Sequence, residues 1–491
     1  MVGIGGCGMS GLARMLAARG AEVTGSDSTS SEVTDALDAD GIPVRFDQSA
    51  GLVPDRCDLV IASAAIGANH PELACARRRT IPILTYAQAL GRCMEGRTGV
   101  AIAGTHGKST TTAMLGVILA RCGLDPSVIV GATCGQLSAG GRAPVGHAGF
   151  RLGSDVIPSG ALAGRPGLLI AEACEYNRSF HNLRPMIAAI GAIEADHLDV
   201  YDSIDALVEA FAGFARLIRP ADEGGTLLIA HDGAHRRQVC AGLECRVETI
   251  GFSPAADWVV RFDPVGRRVR LERDGALVAA WINPMLGEHN AINAATAVAL
   301  ACLLGAEPPG AAAAIEGFGG VDRRMQLLGE RYLGDGPGTQ PVRVYDDYGH
   351  HPTEIEATLR ALRDAEQPEQ RGGRLICVFQ PHQHSRTRHL LEEFANSFSL
   401  ADIVIVPHIY FVRDSEAERH RVCAGDLVDR LRQRGATAMH VYPFEAIVEQ
   451  LEILCRPGDL LVVMGAGPVW QVARSFLARG SHAQAGSGVL S

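Results

Sequence analysis

The stretch TGVAIAGTHGKSTTTAMLGVILARCG, residues 98–123, decides the fold of this chain. An apolar run over 98–103 ends in a glycine-bearing turn, and a helical pattern follows from Lys108. Strand, turn and helix in that order aim the first main-chain N–H groups of the helix at one point. Those groups have no partners inside the helix and attract an anion, and Gly104 and Gly107 let a phosphate approach the main chain. Lys108 is the only lysine in 491 residues; the other 44 of 45 basic side chains are arginine. A compact ammonium on a flexible stem fits between phosphate oxygens where a flat guanidinium would collide with the turn. The Ser109 hydroxyl is placed to take Mg²⁺. The spacing departs from the strict G-x-x-x-x-G-K-[ST] loop, because Ile102 stands where the first glycine would fall. The competing explanation, an ordinary helix start with an exposed lysine, gives no reason for a lysine at this one place.

Outward from this unit, short apolar runs alternate with helical patterns, as in parallel α/β sheets. The length predicts about three domains of roughly 150 residues. The first is expected over 1–92, with AEVTGSD and DLVIASAAI as buried strands. The second, over 93–322, continues through GLLIAEAC and MIAAIGAI, and RVRLERDGALVAAWI alternates as antiparallel strands do. The third, over 323–491, adds strands at PVRVYDD, RLICVFQP, ADIVIVPH and GDLLVVMGAG. The Gly/Pro-rich segment 333–341 reads as an exposed loop and the tail 480–491 as disordered.

Hydrophobic content of 47% and charged content of 20% are those of a globular protein with ample core. A net charge of −10 excludes the basic face that a nucleic-acid partner requires. No apolar run reaches the ~18 residues of a membrane span, so no membrane insertion is expected. The N-terminus lacks a basic region ahead of its apolar part, which points to the cytoplasm. The 13 cysteines show no metal-finger spacing and read as reduced, mostly buried thiols.

GTHGKSTTT (104–112) resembles the ATP loop of the Mur ligases, the ATP-dependent amide-forming enzymes of peptidoglycan synthesis. Further matching pieces follow in the family's order: GIGGCGMSGLA, EACEYNRSF, DHLDVY, GEHNAINAATA, DRRMQ, DDYGHHPTEI, FQPHQHSRTR and MGAG. Together they are similar to the branch that joins L-alanine to the lactyl carboxylate of UDP-N-acetylmuramic acid through an acyl phosphate. The resemblance implies an α/β enzyme with a Rossmann-like N-terminal domain binding the UDP-sugar. A central P-loop-type ATPase domain would follow, its sheet mostly parallel with some antiparallel strands. A Rossmann-like C-terminal domain would bind the amino acid, the whole acting as monomer or homodimer.

The resemblance also distributes roles. Gly104, Thr105, His106, Gly107, Lys108, Ser109 and Thr110 would cradle ATP, with Asn290 and Asn293 on adenine and ribose. Ser109, Glu172 and His197 would hold Mg²⁺. Glu175, three residues beyond Glu172, reads as a solvated loop carboxylate. One of Arg323 and Arg324, with slight preference for Arg324, would stabilise γ-phosphate charge during transfer. Asp347 would orient the incoming amine or accept its proton, and Tyr348, His350 and Arg386 would contact substrates.

In the first domain Gly3, Gly5 and Gly8 stand in G-x-G-x-x-G spacing with Asp27 beyond, a diphosphate site that suits NAD as well as UDP. The resemblance turns Gly5, Gly6, Gly8 and Asp27 toward UDP. Only Met1 and Val2 precede Gly3, so most of the first strand is expected to be missing, through a late start codon or a weakened sheet edge. Two further departures are Ala192, where relatives carry Asn, and Gln383, where they carry Arg. Three rival readings remain open at this point. One is a ligase adding a recycled tripeptide to the same UDP-sugar, another a nicotinamide-dependent oxidoreductase, and the third a nucleotide-binding regulator without turnover.

Overall fold

The computed structural model describes residues 1–48, 53–138, 149–197, 200–334, 339–412 and 414–485. The chain falls into two compact units: Met1–Glu194, Ser203–Pro284 and Asn290–Asp322 form one, and Ala195–Asp202, Met285–His289 and Arg323–Ser491 the other.

The first unit carries two sheets. Near the N-terminus, β1 (Gly25–Ser26) pairs in parallel with β2 (Val44–Arg45), and β3 (Val60–Ala62) with β4 (Ile83–Thr85). Val2 bridges both Ser26 and Ala62. The shortened first strand is therefore not an edge, as expected, but the middle of the layer. The reason is topological: in a doubly wound sheet the first strand is central, and the chain crosses to either side of it. Its hydrogen bonds run both ways, from Val2 N to Ile61 O at 2.8 Å and from Gly3 N to Ser26 O at 2.8 Å.

The second sheet has ten strands. In chain order they are β5 (Thr98–Ala103), β6 (Ser127–Ile129), β7 (Phe150–Arg151), β8 (Leu168–Glu172), β9 (Ile187–Ile190), β10 (Thr226–Ala230), β11 (Arg246–Gly251), β12 (Trp258–Asp263), β13 (Arg268–Arg273) and β14 (Ala276–Ile282). Their order across the sheet is β14-β13-β12-β11-β10-β9-β5-β8-β6-β7. Pairing is parallel except at β6/β7, β12/β13 and β13/β14, so the alternating stretch is the antiparallel hairpin its pattern predicted. All six residues of β5 are buried, with β8 and β9 flanking it and the helix Lys108–Arg121 packed against it. The helix Lys108–Arg121 is likewise buried from Ser109 to Leu119.

The second unit holds β15 (Gln326–Arg331), β16 (Val342–Asp347), β17 (Leu375–Phe379), β18 (Ile403–Val406), β19 (Ala438–His440) and β20 (Leu460–Met464). Their order is β15-β16-β20-β17-β18-β19, and only β15 runs antiparallel to its neighbour. Alternate residues of the central strands feed two cores. Leu375, Cys377 and Phe379 join one, and Ile376 and Val378 the other.

Three expectations are corrected. The strand read at AEVTGSD is limited to Gly25–Ser26, and that at DLVIASAAI to Val60–Ala62, since the neighbours of each, Val2 on one side and a two- or three-residue strand on the other, are short. Only Cys134, Cys245, Cys377 and Cys455 are buried, while Cys7, Cys174 and Cys423 are exposed. Scattered positions with no periodicity carried no burial signal. The helix Trp470–Ala485 enters the tail that begins at residue 480. Residues 486–491, and 335–338 of the Gly/Pro-rich loop, lie outside the described residues.

One buried carboxylate ties the third sheet together. Asp459, fully buried, accepts from Arg374 N at 2.8 Å, Arg374 Nη2 at 2.8 Å and Arg456 N at 2.9 Å. Asp459→Ala leaves two amides without their acceptor and the Arg374 guanidinium with Leu454 O but no counter-charge there. Chemical denaturation should show a loss of about 3 kcal/mol, and a loss under ~1 kcal/mol would contradict this role.

Candidate active site

The turn after β5 is held in shape by its neighbours. Gly104 has φ +130° and Gly107 φ +77°. A Cβ at Gly104 would lie 2.9 Å from Gly191 N, and one at Gly107 2.4 Å from Asn293 Oδ1, so both positions require glycine. Thr105 N donates to Ala192 O at 2.7 Å, and Glu194 N donates to Thr105 Oγ1 at 2.9 Å. His106 Nε2 lies 3.4 Å from Glu194 Oε2. The contact at Ala192 uses the main chain, so it does not depend on the side chain at that position. Thr110 is buried in the first helical turn. From the helix Glu288–Leu303, Asn293 accepts from Thr111 Oγ1 at 3.3 Å and donates to Asn290 Oδ1 at 3.3 Å. Asn293 thus reaches the turn, and Asn290 stands behind it as the partner of Asn293.

Lys108 is not an exposed helix-start residue. Its Nζ donates to Gly104 O at 2.6 Å, Thr105 O at 3.0 Å and Glu175 Oε1 at 3.0 Å, which uses all three N–H donors. Glu175 is 1% exposed. The reading of Glu175 as a solvated carboxylate is corrected: it is the buried counter-charge of the lysine. Burial works against the ammonium, but the Glu175 carboxylate outweighs it and raises the lysine pKa above its ordinary value. Next to this pair, Ser109 Oγ donates to Glu172 Oε2 at 2.9 Å, and Gly131 N donates to the same oxygen at 2.9 Å. Glu172 ends β8, beside Ile102 of β5.

The N-terminal glycine turn closes on Asp27. Gly5 N donates to Asp27 Oδ2 at 2.8 Å and Ser28 N to Asp27 Oδ1 at 2.8 Å. Gly6 caps the helix Cys7–Ala18. Gly8 faces Tyr86 so closely that a Cβ there would meet the phenol oxygen at 2.8 Å. Burial, then the charge of Glu172, raises the Tyr86 pKa. Tyr86 therefore feels both the glycine turn and the carboxylate end of β8. Nothing in its sequence surroundings marked it.

In the second unit the two adjacent arginines differ. Arg323 Nη2 donates to Gly465 O at 2.5 Å and its Nε lies 3.3 Å from Asp346 Oδ2. Arg324 lies over the Tyr348 ring, 4.8 Å from its centroid, with no hydrogen bond or ion pair to its guanidinium among the described residues. Asp347 is buried with both oxygens on main-chain donors, Met325 N at 2.7 Å and Gly349 N at 2.6 Å. Burial pushes its pKa up to about 6 despite the opposing charge of Arg324. Burial, helped by Arg386, lowers that of His350 to about 4, so its imidazole is neutral at pH 7.

Arg386 is pinned, with Nε at 3.0 Å and Nη2 at 2.7 Å from Asp196 Oδ1. Asp196 stays ionised: burial alone would raise its pKa, but Arg386, His197 and His350 hold it well below the carboxylate range. His197 has φ +53°, and its Nε2 lies 3.8 Å from Asp196 Oδ2. Asp196, His197, Gln383 and Arg386 line one small hollow. Gln383, at φ +70°, is buried and its Nε2 has no partner among the described residues.

Three family models match in order: the Mur ligase family catalytic domain over residues 1–98, the Mur ligase middle domain over 102–301, and the Mur ligase glutamate ligase domain over 323–467. This chain belongs to the Mur ligase family. A Rubrobacter xylanophilus protein named UDP-N-acetylmuramate–L-alanine ligase is 38% identical over 98% of this Mur ligase and 99% of its own length. A Streptomyces avermitilis protein of the same name is 37% identical over 97% and 96%. Among solved structures, the UDP-N-acetylmuramate–alanine ligase of Thermotoga maritima superposes with a TM-score of 0.77 at 25% identity, covering 98% of each chain. A murein peptide ligase from Psychrobacter arcticus shares the fold, with a TM-score of 0.70 at 22% identity over 100% and 98%. The three-domain Mur ligase architecture is thus that of this chain.

Lys108→Arg keeps a cation for Glu175, but its flat guanidinium cannot converge on the Gly104 and Thr105 carbonyls as the compact ammonium does. ATP-dependent turnover should fall by about 100-fold or more, with the melting temperature shifted by no more than about 2 °C; near-normal turnover would show the turn misread. A second expectation concerns acid. Because burial raises the Asp347 pKa, the native protein takes up a proton near pH 6, where the unfolded chain remains ionised. The protonated acid no longer accepts both amides as a carboxylate does. kcat should therefore decline as pH falls through about 6, and Asp347→Asn should abolish that limb. An acid limb unchanged in the variant would assign it to another group.

Proposed function

We propose that this Mur ligase joins L-alanine to the lactyl carboxylate of UDP-N-acetylmuramic acid, converting ATP to ADP and phosphate, at the cytoplasmic stage of peptidoglycan precursor synthesis. One observation carries the substrate assignment. Relatives of 35–38% identity over nearly their whole length all bear the name UDP-N-acetylmuramate–L-alanine ligase. Among the described residues no helix is long and apolar enough to cross a membrane.

The reaction has two steps. A carboxylate oxygen of the sugar attacks the γ-phosphorus and ADP leaves, giving an acyl phosphate. The uncharged amine of alanine then attacks the acyl carbon, loses a proton, and the tetrahedral intermediate expels phosphate. The turn residues Gly104, His106, Gly107, Ser109 and Thr110 hold the polyphosphate by main-chain N–H and hydroxyl groups, and Thr105, engaged with Ala192 and Glu194, sets the shape of the turn. The Lys108 ammonium exchanges main-chain carbonyls for phosphate oxygens while Glu175 keeps it charged and in place. Asn290 and Asn293 serve adenine and ribose.

Arg324 is the arginine assigned to γ-phosphate charge, since Arg323 is committed to Gly465 and Asp346. Asp347 holds the segment through Met325, and with a pKa near 6 it is also suited to receive the amine proton. Gly5, Gly6, Gly8 and Asp27 are assigned to the UDP diphosphate, and Tyr348, His350 and Arg386 to the reacting carboxylate and amino acid.

Ser109 and Glu172 form a pair of hard oxygen donors that fits Mg²⁺. These two residues would hold the ion, which when bound neutralises phosphate charge. His197 is assigned to a second ion on the resemblance alone. An oxidoreductase would leave the Lys108–Glu175 pair and the Ser109–Glu172 pair without a purpose.

The test incubates purified protein with UDP-N-acetylmuramic acid, L-alanine, ATP and Mg²⁺, and phosphate should appear only when all four are present. L-Alanine should exceed glycine in kcat/KM by about tenfold or more, the effect of one methyl group in a fitted pocket. Phosphate release indifferent to the UDP-sugar would overturn the reading, and preference for a tripeptide would move it to the tripeptide-adding ligases.

A further inference from the structure

The first unit contains a cavity of about 240 Å³ far from the residues assigned above. It lies at the amino ends of β9 and β10, whereas the nucleotide turn packs at the carboxyl end of β9. Its walls are apolar, from Leu162, Met186, Ile187 and Leu303, with the buried Thr226 beside them. Its charged lining is entirely positive: Arg165 and Arg246, with no carboxylate among the residues that line it.

Neither guanidinium is strongly committed. Arg165 Nη1 makes one weak contact, to Met186 Sδ at 3.6 Å. Arg246 Nη1 stands 3.5 Å from Glu248 Oε1, an oxygen already held by Arg273 Nη2 at 2.9 Å, while Trp258 Nε1 takes the other at 2.7 Å. Two loosely held cations over an apolar hollow match a ligand with an anionic group on an apolar body.

Two elements span from this cavity to the nucleotide turn. β9 begins beside the cavity at Met186 and Ile187, and the residues just beyond its other end, Gly191 and Ala192, pack on Gly104 and Thr105. The helix Glu288–Leu303 ends at the cavity with Leu303, and near its start Asn293 touches Gly107 and Thr111. A ligand that shifts the near ends of a buried strand and a packed helix acts on both supports of the turn.

We propose that this cavity is a second ligand site, taking a small amphipathic anion (one ring or short chain bearing a phosphate or carboxylate), and that its occupancy changes the affinity for ATP. The inference rests on binding alone and is independent of which amino acid the enzyme uses.

Phenyl phosphate is the probe, titrated calorimetrically into the full-length protein, with inorganic phosphate and benzyl alcohol as separate arms. One saturable site for phenyl phosphate is expected, with the other two binding about tenfold or more weakly, since each lacks half of the recognition. Arg165→Ala/Arg246→Ala should weaken phenyl phosphate by about tenfold or more while leaving ATP binding in its absence unchanged. Leu162→Trp should block the probe by filling the hollow with both arginines retained. Saturating phenyl phosphate should move the Kd for ATP to a new plateau, by about twofold or more, in the wild type but not in the double variant. Equal binding by wild type and both variants overturns the inference, and so does an unmoved Kd for ATP. An ATP Kd that rises without limit marks competition at the nucleotide turn and equally overturns it.

Discussion

A buried charge must have a partner, and the Lys108–Glu175 pair is the constraint around which the nucleotide turn is organised. With Glu175 1% exposed, removal of the lysine would leave an uncompensated carboxylate in the interior. The pair does more than balance charge. It connects the turn after β5 to the segment after β8, and the same ammonium closes the turn on its own carbonyls at Gly104 and Thr105. The anion cradle is thereby shaped by the protein's own contacts, so less order has to be imposed when a triphosphate arrives.

The sheet explains why these groups meet. β9, β5 and β8 are adjacent and parallel, so their carboxyl ends lie side by side. From those ends come Gly191–Glu194, the glycine turn, and Glu172 with Glu175. Each supplies a different part: a main-chain acceptor that fixes the turn, the glycine turn with its ammonium, and carboxylates that engage Ser109 and the lysine. The usual placement of ligands beyond the carboxyl ends of parallel strands is here a direct result of strand order.

Much of this was legible in the sequence, for identifiable reasons. The turn announced itself because glycine, lysine and serine each answer a separate steric or electrostatic demand there. Long apolar runs such as TGVAIAG and GDLLVVMGAG marked buried strands because each lies inside its sheet between two neighbouring strands. The hairpin at β13 and β14 showed its period of two. What escaped lacked a local cause. Glu175 looks solvated because its burial is set by a lysine 67 residues away. Tyr86 looks ordinary because only Gly8 and Glu172 distinguish it. Arg323 and Arg324 are neighbours of one type, separated only by Gly465 and Asp346 capturing the first. Short strands such as β6, β7 and β19 fall below the length at which periodicity can be counted.

The scarcity of lysine has a chemical consequence. Lys108 is the sole side chain with a primary amine. A nucleotide bearing an aldehyde would thus meet a single lysine ε-amino group, situated where the polyphosphate is assigned, and because Glu175 holds that amine protonated, imine formation there calls for alkaline solution. Reduction of the resulting imine would leave a stable mark, turning a composition that looks like a quirk of arginine usage into a means of counting nucleotide-loaded molecules one by one.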